Sequence, residues 1–211
     1  GETHWRRTVD REVLAVRAGV GICDVTTLGK IDVQGRDAGA FLDRIYANPM
    51  ASLKPGMVRY GLMLREDGFV WDDGTCARMG DTHYAVTTTT ANAGAIYRHM
   101  EFCRQCLWSD LDVHLISTTD AWAQFSVAGP LARALLERVV DGFDLSNEGF
   151  PFMACAGLTV CGGLRARLFR ISFSGELAYE IAVPARYGNA LMERLVELGA
   201  NPYGTEAVGG L

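Results

Sequence analysis

Two neighbouring carboxylates, Asp72 and Asp73, follow a Phe-Val-Trp run within residues 65–79, REDGFVWDDGTCARM. In an extended segment successive side chains point to opposite faces, so only one of the two can face an interior. Asp72 shares its face with Val70, and Asp73 stands beside Gly74, a pairing common in turns. The pattern leaves two readings open. Asp72 is a solvated edge residue next to a turn at Asp73-Gly74, or it points inward and meets a ligand's donors or a developing positive charge. Glu180 poses the same question in RISFSGELAYEIAVP, where Tyr179, Ile181 and Val183 surround it. A carboxylate buried there must be paired or hydrogen-bonded. It is either an edge or Arg-paired glutamate, or a bidentate acceptor for a ligand's amino and ring N–H groups. Glu176, after Ser174-Gly175, reads as an exposed carboxylate of a hairpin turn.

Other chemistries find little support in the residue spacing. Cys103 and Cys106 lie in CRQC at helical spacing with Ile96, Met100 and Leu107, as small packed residues do. A zinc site needs a second ligand pair, and a thioredoxin-like motif opens a helix after a strand; neither condition is met here. The four histidines are dispersed without HExxH spacing, so no metal is expected. Gly129-Pro130 precedes a helical pattern, yet neither GxGxxG nor GxxxxGK[ST] occurs, and Ser174 lacks the G-x-S-x-G setting. Residues 87–90, TTTT, read as the end of a strand.

The elements that must position these groups follow from periodicity. Val9, Val13 and Val16 give a helix over 5–19; VGICDV and GKIDVQG are strands; RDAGAFLDRIYA is a helix with Phe41, Leu42 and Ile45 on one face. Residues 58–64, 69–72, 75–79 and 83–89 predict an antiparallel meander with turns at Asp67-Gly68 and Gly80-Asp81, followed by a helix from about 91 to 107. Next, DAWAQFSVAGPLARALLERVV repeats an earlier order of strand, Val-x-Gly and helix, with Pro130 at the first helical position. Val33-Gln34-Gly35 and Val127-Ala128-Gly129 suggest an internal duplication. Strands near 158–162, 165–172 and 177–183 and a helix over 186–198 complete the second half. Interleaved helices with mostly antiparallel strands make an α+β fold, divided here into subdomains 1–110 and 111–211. The ending TEAVGGL begins a helix that does not develop, as expected of a piece of a longer polypeptide.

With 211 residues, 49% hydrophobic and 21% charged, the chain has the composition of a globular protein rather than a disordered one. A net charge of −5 without a basic run gives no reason to expect a nucleic-acid partner. The apolar runs fall short of a membrane span, and residues 1–20 lack a signal-peptide layout. A soluble cytoplasmic setting is the expectation.

Three segments together, GVGICDVTTLGKIDVQGRDAGAFLDRIYAN, VRYGLMLREDGFVWDDGTCARM and ISFSGELAYEIAVP, resemble the folate-binding aminomethyltransferase family, which includes the glycine-cleavage T-protein. DVTTLGKIDVQG, RYGLMLREDG and TTTTANA are nearest the branch formed by the alpha subunits of heterotetrameric sarcosine oxidases. The resemblance implies ferredoxin-like α+β subdomains around a folate channel, normally followed by a C-terminal barrel that this chain lacks. It implies a catalytic role for Asp72, a pterin-gripping role for Glu180, and folate contacts for Tyr60, Phe173, Thr88 and Thr89. Val208 stands about where relatives carry a folate-contacting arginine. The implied cofactor is tetrahydrofolate, with FAD or FMN and NAD in other parts of a complex whose remaining subunits are the partners. The implied reaction joins the imine from sarcosine oxidation to tetrahydrofolate, giving glycine and 5,10-methylenetetrahydrofolate. A glycine-cleavage aminomethyltransferase served by a lipoyl carrier protein, or a non-catalytic folate-binding or assembly module, are the alternatives.

Overall fold

The computed structural model describes residues 4–211. They form two compact units: Thr27–Asp120, and residues 4–26 together with Ala121–Leu211.

The unit Thr27–Asp120 runs β2 (Gly29–Gln34), α2 (Ala38–Ile45), β3 (Val58–Leu64), β4 (Val70–Gly80), β5 (His83–Thr88), α3 (Ala93–Phe102) and β6 (His114–Ser117). Its sheet has the order β3-β4-β5-β2-β6, with every neighbouring pair antiparallel. Strands β2, β4, β5 and β6 with α2 and α3 make a ferredoxin-like βαββαβ unit, and β3 adds an edge strand beside β4. The helices cover one face of this sheet. Phe41, Leu42, Ile45, Ile96 and Met100 pack there against Ile31, Val33, Cys76, Tyr84 and Val86. The Lys30 and Asp32 side chains, on the other parity of β2, are buried as well. Lys30 donates to the Leu28 and Thr119 carbonyls, and Asp32 accepts from Thr118 and meets His83 Nε2 at 3.2 Å.

The second unit begins with α1 (Trp5–Ala18) and β1 (Gly21–Asp24). It resumes with β7 (Trp122–Ala128), α4 (Ala132–Leu136), β8 (Cys155–Val160), β9 (Leu164–Phe169), β10 (Ala178–Pro184), α5 (Gly188–Glu197), β11 (Asn201–Pro202) and α6 (Thr205–Val208). Its sheet order is β11-β1-β7-β10-β9-β8, and only β1 with β11 is parallel. Val9, Val13 and Val16 of α1 pack with Ala128, Ala178, Tyr203 and Ala207.

The duplication seen as two Val-x-Gly triplets extends through each unit. Read from the outer edge, β8-β9-β10-β7-β11 repeats β3-β4-β5-β2-β6, with β1 inserted between β7 and β11. Gly35 and Gly129 hold equivalent places at φ +133° and +123°, a region other residues rarely adopt. A Cβ on Gly35 would run into the Asp112 carbonyl, and one on Gly129 would lie 2.5 Å from the Gly19 oxygen. In both copies the helix starts three residues later, closed by N–H bonds from Ala38 to Gly35 and from Ala132 to Gly129. Only glycine lets the strand turn this sharply against a neighbouring backbone.

Several expectations are corrected. Residues 69–72 and 75–79 are not two strands around an Asp73-Gly74 turn. β4 is continuous, because Asp73 pairs with Leu62 and Gly74 with Gly61 on β3. The predicted helix over 91–107 stops being α-helical at Phe102 and widens into a π turn at Cys103–Leu107. That turn leaves Cys103 buried in the core and Cys106 exposed. Pro130 lies before α4 rather than in its first turn. The units also differ from a single cut near residue 110, since β1 pairs with β7 and β11 and so belongs with the later sequence. Among the described residues no helix is long and apolar enough to cross a membrane.

Candidate functional site

Asp72 lies on the helix-covered face of β4, in register with the buried Met63, and is 2% exposed. Removing an ionised carboxylate from water is costly unless donors replace the lost solvent. Three do so here. Oδ1 accepts from the Thr89 hydroxyl at 2.7 Å and from Asn92 Nδ2 at 3.1 Å, and Oδ2 accepts from the Thr89 N–H at 3.2 Å. Asn92 also donates to the Trp71 carbonyl at 3.0 Å, which ties β4 to the start of α3. Asn92 is the N-cap residue of α3, so the carboxylate stands where the helix dipole favours negative charge. All three donors are uncharged, and no cationic side chain among the described residues is paired with Asp72. Oδ2, with a single donor, keeps acceptor capacity.

The neighbours of Asp72 take different directions. Trp71, where β4 shifts register against β3, packs on the core beneath the helices and meets His99 of α3 edge-on, ring centroids 4.8 Å apart. Burial lowers the His99 imidazole below its ordinary 6.5, opposed by the charge of Glu66. Tyr60 is half exposed and donates to Asp73 Oδ2 at 2.8 Å, not to Asp72. That hydrogen bond holds its phenol above the usual tyrosine value, with lesser contributions from burial and the Asp73 charge. Thr88 is 1% exposed; its hydroxyl donates to the Thr89 carbonyl and fills the space over Gly29 that a Cβ would need. Of the predicted residues in this unit, Asp72 and Thr89 are in direct contact, while Tyr60 serves Asp73 and Thr88 packs.

In the other unit, Glu180 is half-buried on β10, between Ser126 of β7 and Phe169 of β9. The Gln124 amide, 2% exposed, donates to Glu180 Oε2, and the Gln124 N–H donates to Thr26 Oγ1 at 3.0 Å. Burial pushes the nearby Cys23 thiol up, and the charges of Asp24, Glu12 and Glu180 add to the effect. Phe173 stands 86% exposed in the β9–β10 connection. Glu176, expected as an exposed turn carboxylate, is 3.6 Å from Arg17 with only 23% of its side chain exposed.

Periodicity missed Asn92 and Gln124. The signal for Asn92 was present, an Asn directly before a helical pattern. Gln124 was legible as a polar residue inside the apolar run WAQFSVA. Among the described residues, no group of three or more His, Cys, Asp or Glu is placed to hold a metal ion.

The duplicated fold has known relatives. Residues 2–211 match the GCVT N-terminal domain, and the chain belongs to that family. Sarcosine oxidase subunit alpha of Rhizobium meliloti is 52% identical over 213 residues, covering 99% of this chain and 22% of that protein. The chain thus spans about a fifth of the length of the sarcosine oxidase alpha subunits it matches. Among solved structures, the glycine cleavage system aminomethyltransferase T from Bartonella henselae superposes with a TM-score of 0.78 at 25% identity, over 95% of this chain and 52% of that one. A chain of the heterotetrameric sarcosine oxidase from Corynebacterium sp. U-96 shares the fold, with a TM-score of 0.62 at 12% identity over 91% of both chains.

Proposed function

We propose that this chain is a folate-dependent one-carbon transfer domain of a sarcosine oxidase alpha subunit. In this reading it joins the imine left by sarcosine oxidation to tetrahydrofolate, with glycine and 5,10-methylenetetrahydrofolate as products. One observation carries the reading: a buried carboxylate held by three neutral donors, with no cationic partner among the described residues. Such a group stabilises a positive charge brought by a ligand, and an iminium or ammonium nitrogen is that charge. Thr89 and Asn92 hold the Asp72 carboxylate fixed in direction, so Oδ2 can hold or pass a proton without reorganising first.

Tetrahydrofolate supplies two nucleophilic nitrogens and a flat pterin edge rich in N–H donors. The residues present suit it. An ionised carboxylate accepts at about four sites, enough for Gln124 and a pair of ligand donors on Glu180 together. Phe173 offers an exposed ring for stacking. Tyr60 and Thr88 enter this reading as lining and support rather than as partners of Asp72. The oxidation itself requires flavin and NAD sites elsewhere in the complex, and the remaining subunits of a heterotetramer are the proposed partners. A cytoplasmic setting belongs to the same reading, supported by six free cysteines.

Titrating the intact protein with folinic acid in a calorimeter tests the binding half. Saturable binding that weakens about tenfold or more in Glu180→Gln is expected, since a charged acceptor for two donors is halved. Absence of binding by the unsubstituted protein would contradict the reading.

A further inference from the structure

Gln124 is a polar residue in an apolar place. It sits inside the run WAQFSVA of β7 at 2% exposure, where glutamine is seldom found. Taking its amide out of water is unfavourable unless a partner replaces the solvent. The partner is Glu180, whose Oε2 accepts from the Gln124 amide.

The strand register explains how the two meet. Glu180 on β10 pairs with Ser126 on β7, and Ala182 pairs with Gln124. Gln124 and Glu180 are therefore diagonal neighbours on one face of the sheet, a span that two long side chains close. Gln124 is also held at its base, where β1 ends. Its N–H donates to Thr26 Oγ1 at 3.0 Å, and its carbonyl accepts from the Val25 N–H at 3.0 Å and the Thr26 hydroxyl at 3.3 Å. The Thr26 N–H is in turn fixed on Asp24 Oδ1 at 2.9 Å. Across the sheet, Phe169 of β9 pairs with Glu180 and is 6% exposed. Arg167 of β9 shares the face, its guanidinium 4.3 Å from the centre of the Trp122 ring. The amide thus reaches Glu180 from a strand that is tied down on both sides.

We propose that Gln124 is a positioning residue for Glu180, setting the plane of its carboxylate for a ligand edge with two adjacent N–H donors. The terminal torsion of a glutamate is broad, so a carboxylate without an anchor turns easily. A donor on Oε2 selects one rotation, and being neutral it adds no charge to compete with the ligand. An amino group beside a ring N–H needs one acceptor on each oxygen, both in the plane of the ligand. A single donor has no such need and follows the carboxylate wherever it turns. That the two-donor edge belongs to the pterin of tetrahydrofolate rests on the function proposed above; the anchoring of Glu180 does not.

Calorimetry on the intact protein compares folinic acid with an analogue carrying hydrogen in place of its 2-amino group. Gln124→Met, close to glutamine in volume, is expected to weaken folinic acid about tenfold and the one-donor analogue less than twofold. Equal losses for the two ligands, as a merely structural role would give, overturn the proposal. Urea unfolding supplies a readout without ligand. Gln124→Met and Glu180→Met are expected to be coupled by about threefold or more in the folding equilibrium constant, and additive effects overturn the anchor. If Gln124→Met fails to fold, the side-chain amide protons of Gln124 are read by NMR in the parent. One downfield, slowly exchanging proton that returns to the ordinary amide position in Glu180→Met supports the anchor, and ordinary positions in the parent overturn it. Coupling in unfolding without folinic acid binding by the parent would remove the folate reading and leave the anchored carboxylate standing.

Discussion

Asn92→Asp changes one atom type at the centre of the Asp72 clamp. The amide nitrogen lies 3.1 Å from Asp72 Oδ1, and the substitution sets an acceptor against an acceptor. Two carboxylates about 3 Å apart repel by roughly 5 kcal/mol at an effective dielectric constant of about 20. Protonating a carboxyl of reference value near 3.9 costs about 1.36 kcal/mol per pH unit, or roughly 4 kcal/mol at pH 7. Protonation is the cheaper course, so the folded variant takes up one proton that the unfolded chain does not. Extra protons on the native state make stability fall as pH rises. The variant should therefore be weaker than the parent by about 4 kcal/mol at pH 7, and by about 1.4 kcal/mol less for each pH unit below that. Asn92→Ala, which only deletes the bonds to Asp72 and the Trp71 carbonyl, should cost about 2–4 kcal/mol with little pH dependence. Urea unfolding of both variants between pH 5 and 8 is the assay. Parallel, pH-independent losses would refute the placement of Asn92 against an ionised carboxylate.

Two further outcomes follow from the same unit. Gly74→Ala forces a Cβ into the Thr87 carbonyl where β4 meets β5, and should cost about 1–3 kcal/mol by urea midpoint; a neutral result would contradict the close approach. His99, lowered from 6.5 chiefly by burial, resists protonation in the folded state. Its contribution is therefore complete above pH 6.5 and declines as pH falls below it. His99→Phe should flatten that part of the stability–pH curve, and an unchanged slope would assign it to other groups.

The α+β class, the meander and the two Val-x-Gly turns were legible in the sequence because each rests on local pattern: alternation, turn residues, and a glycine where a strand must bend. The side of the sheet that Asp72 faces was not. Parity allowed two answers, and the choice depends on Gly74 continuing the ladder opposite Gly61 instead of starting a turn. An Asp-Gly pair is as common in turns as pattern suggests; here a close backbone approach overrides it. The partners of the carboxylates were hidden for a related reason. Asn92 is 20 residues from Asp72 and Gln124 is 56 from Glu180, separations that only strand pairing closes.

The central claim is that Asp72 does the chemistry while other groups hold the folate. It is tested most directly by assaying Asp72→Asn in the intact protein for 5,10-methylenetetrahydrofolate formed per sarcosine oxidised, with folinic acid affinity measured on the same sample. The account predicts transfer reduced about 100-fold or more with binding within a few-fold of the parent. An unchanged yield of methylenetetrahydrofolate would contradict it.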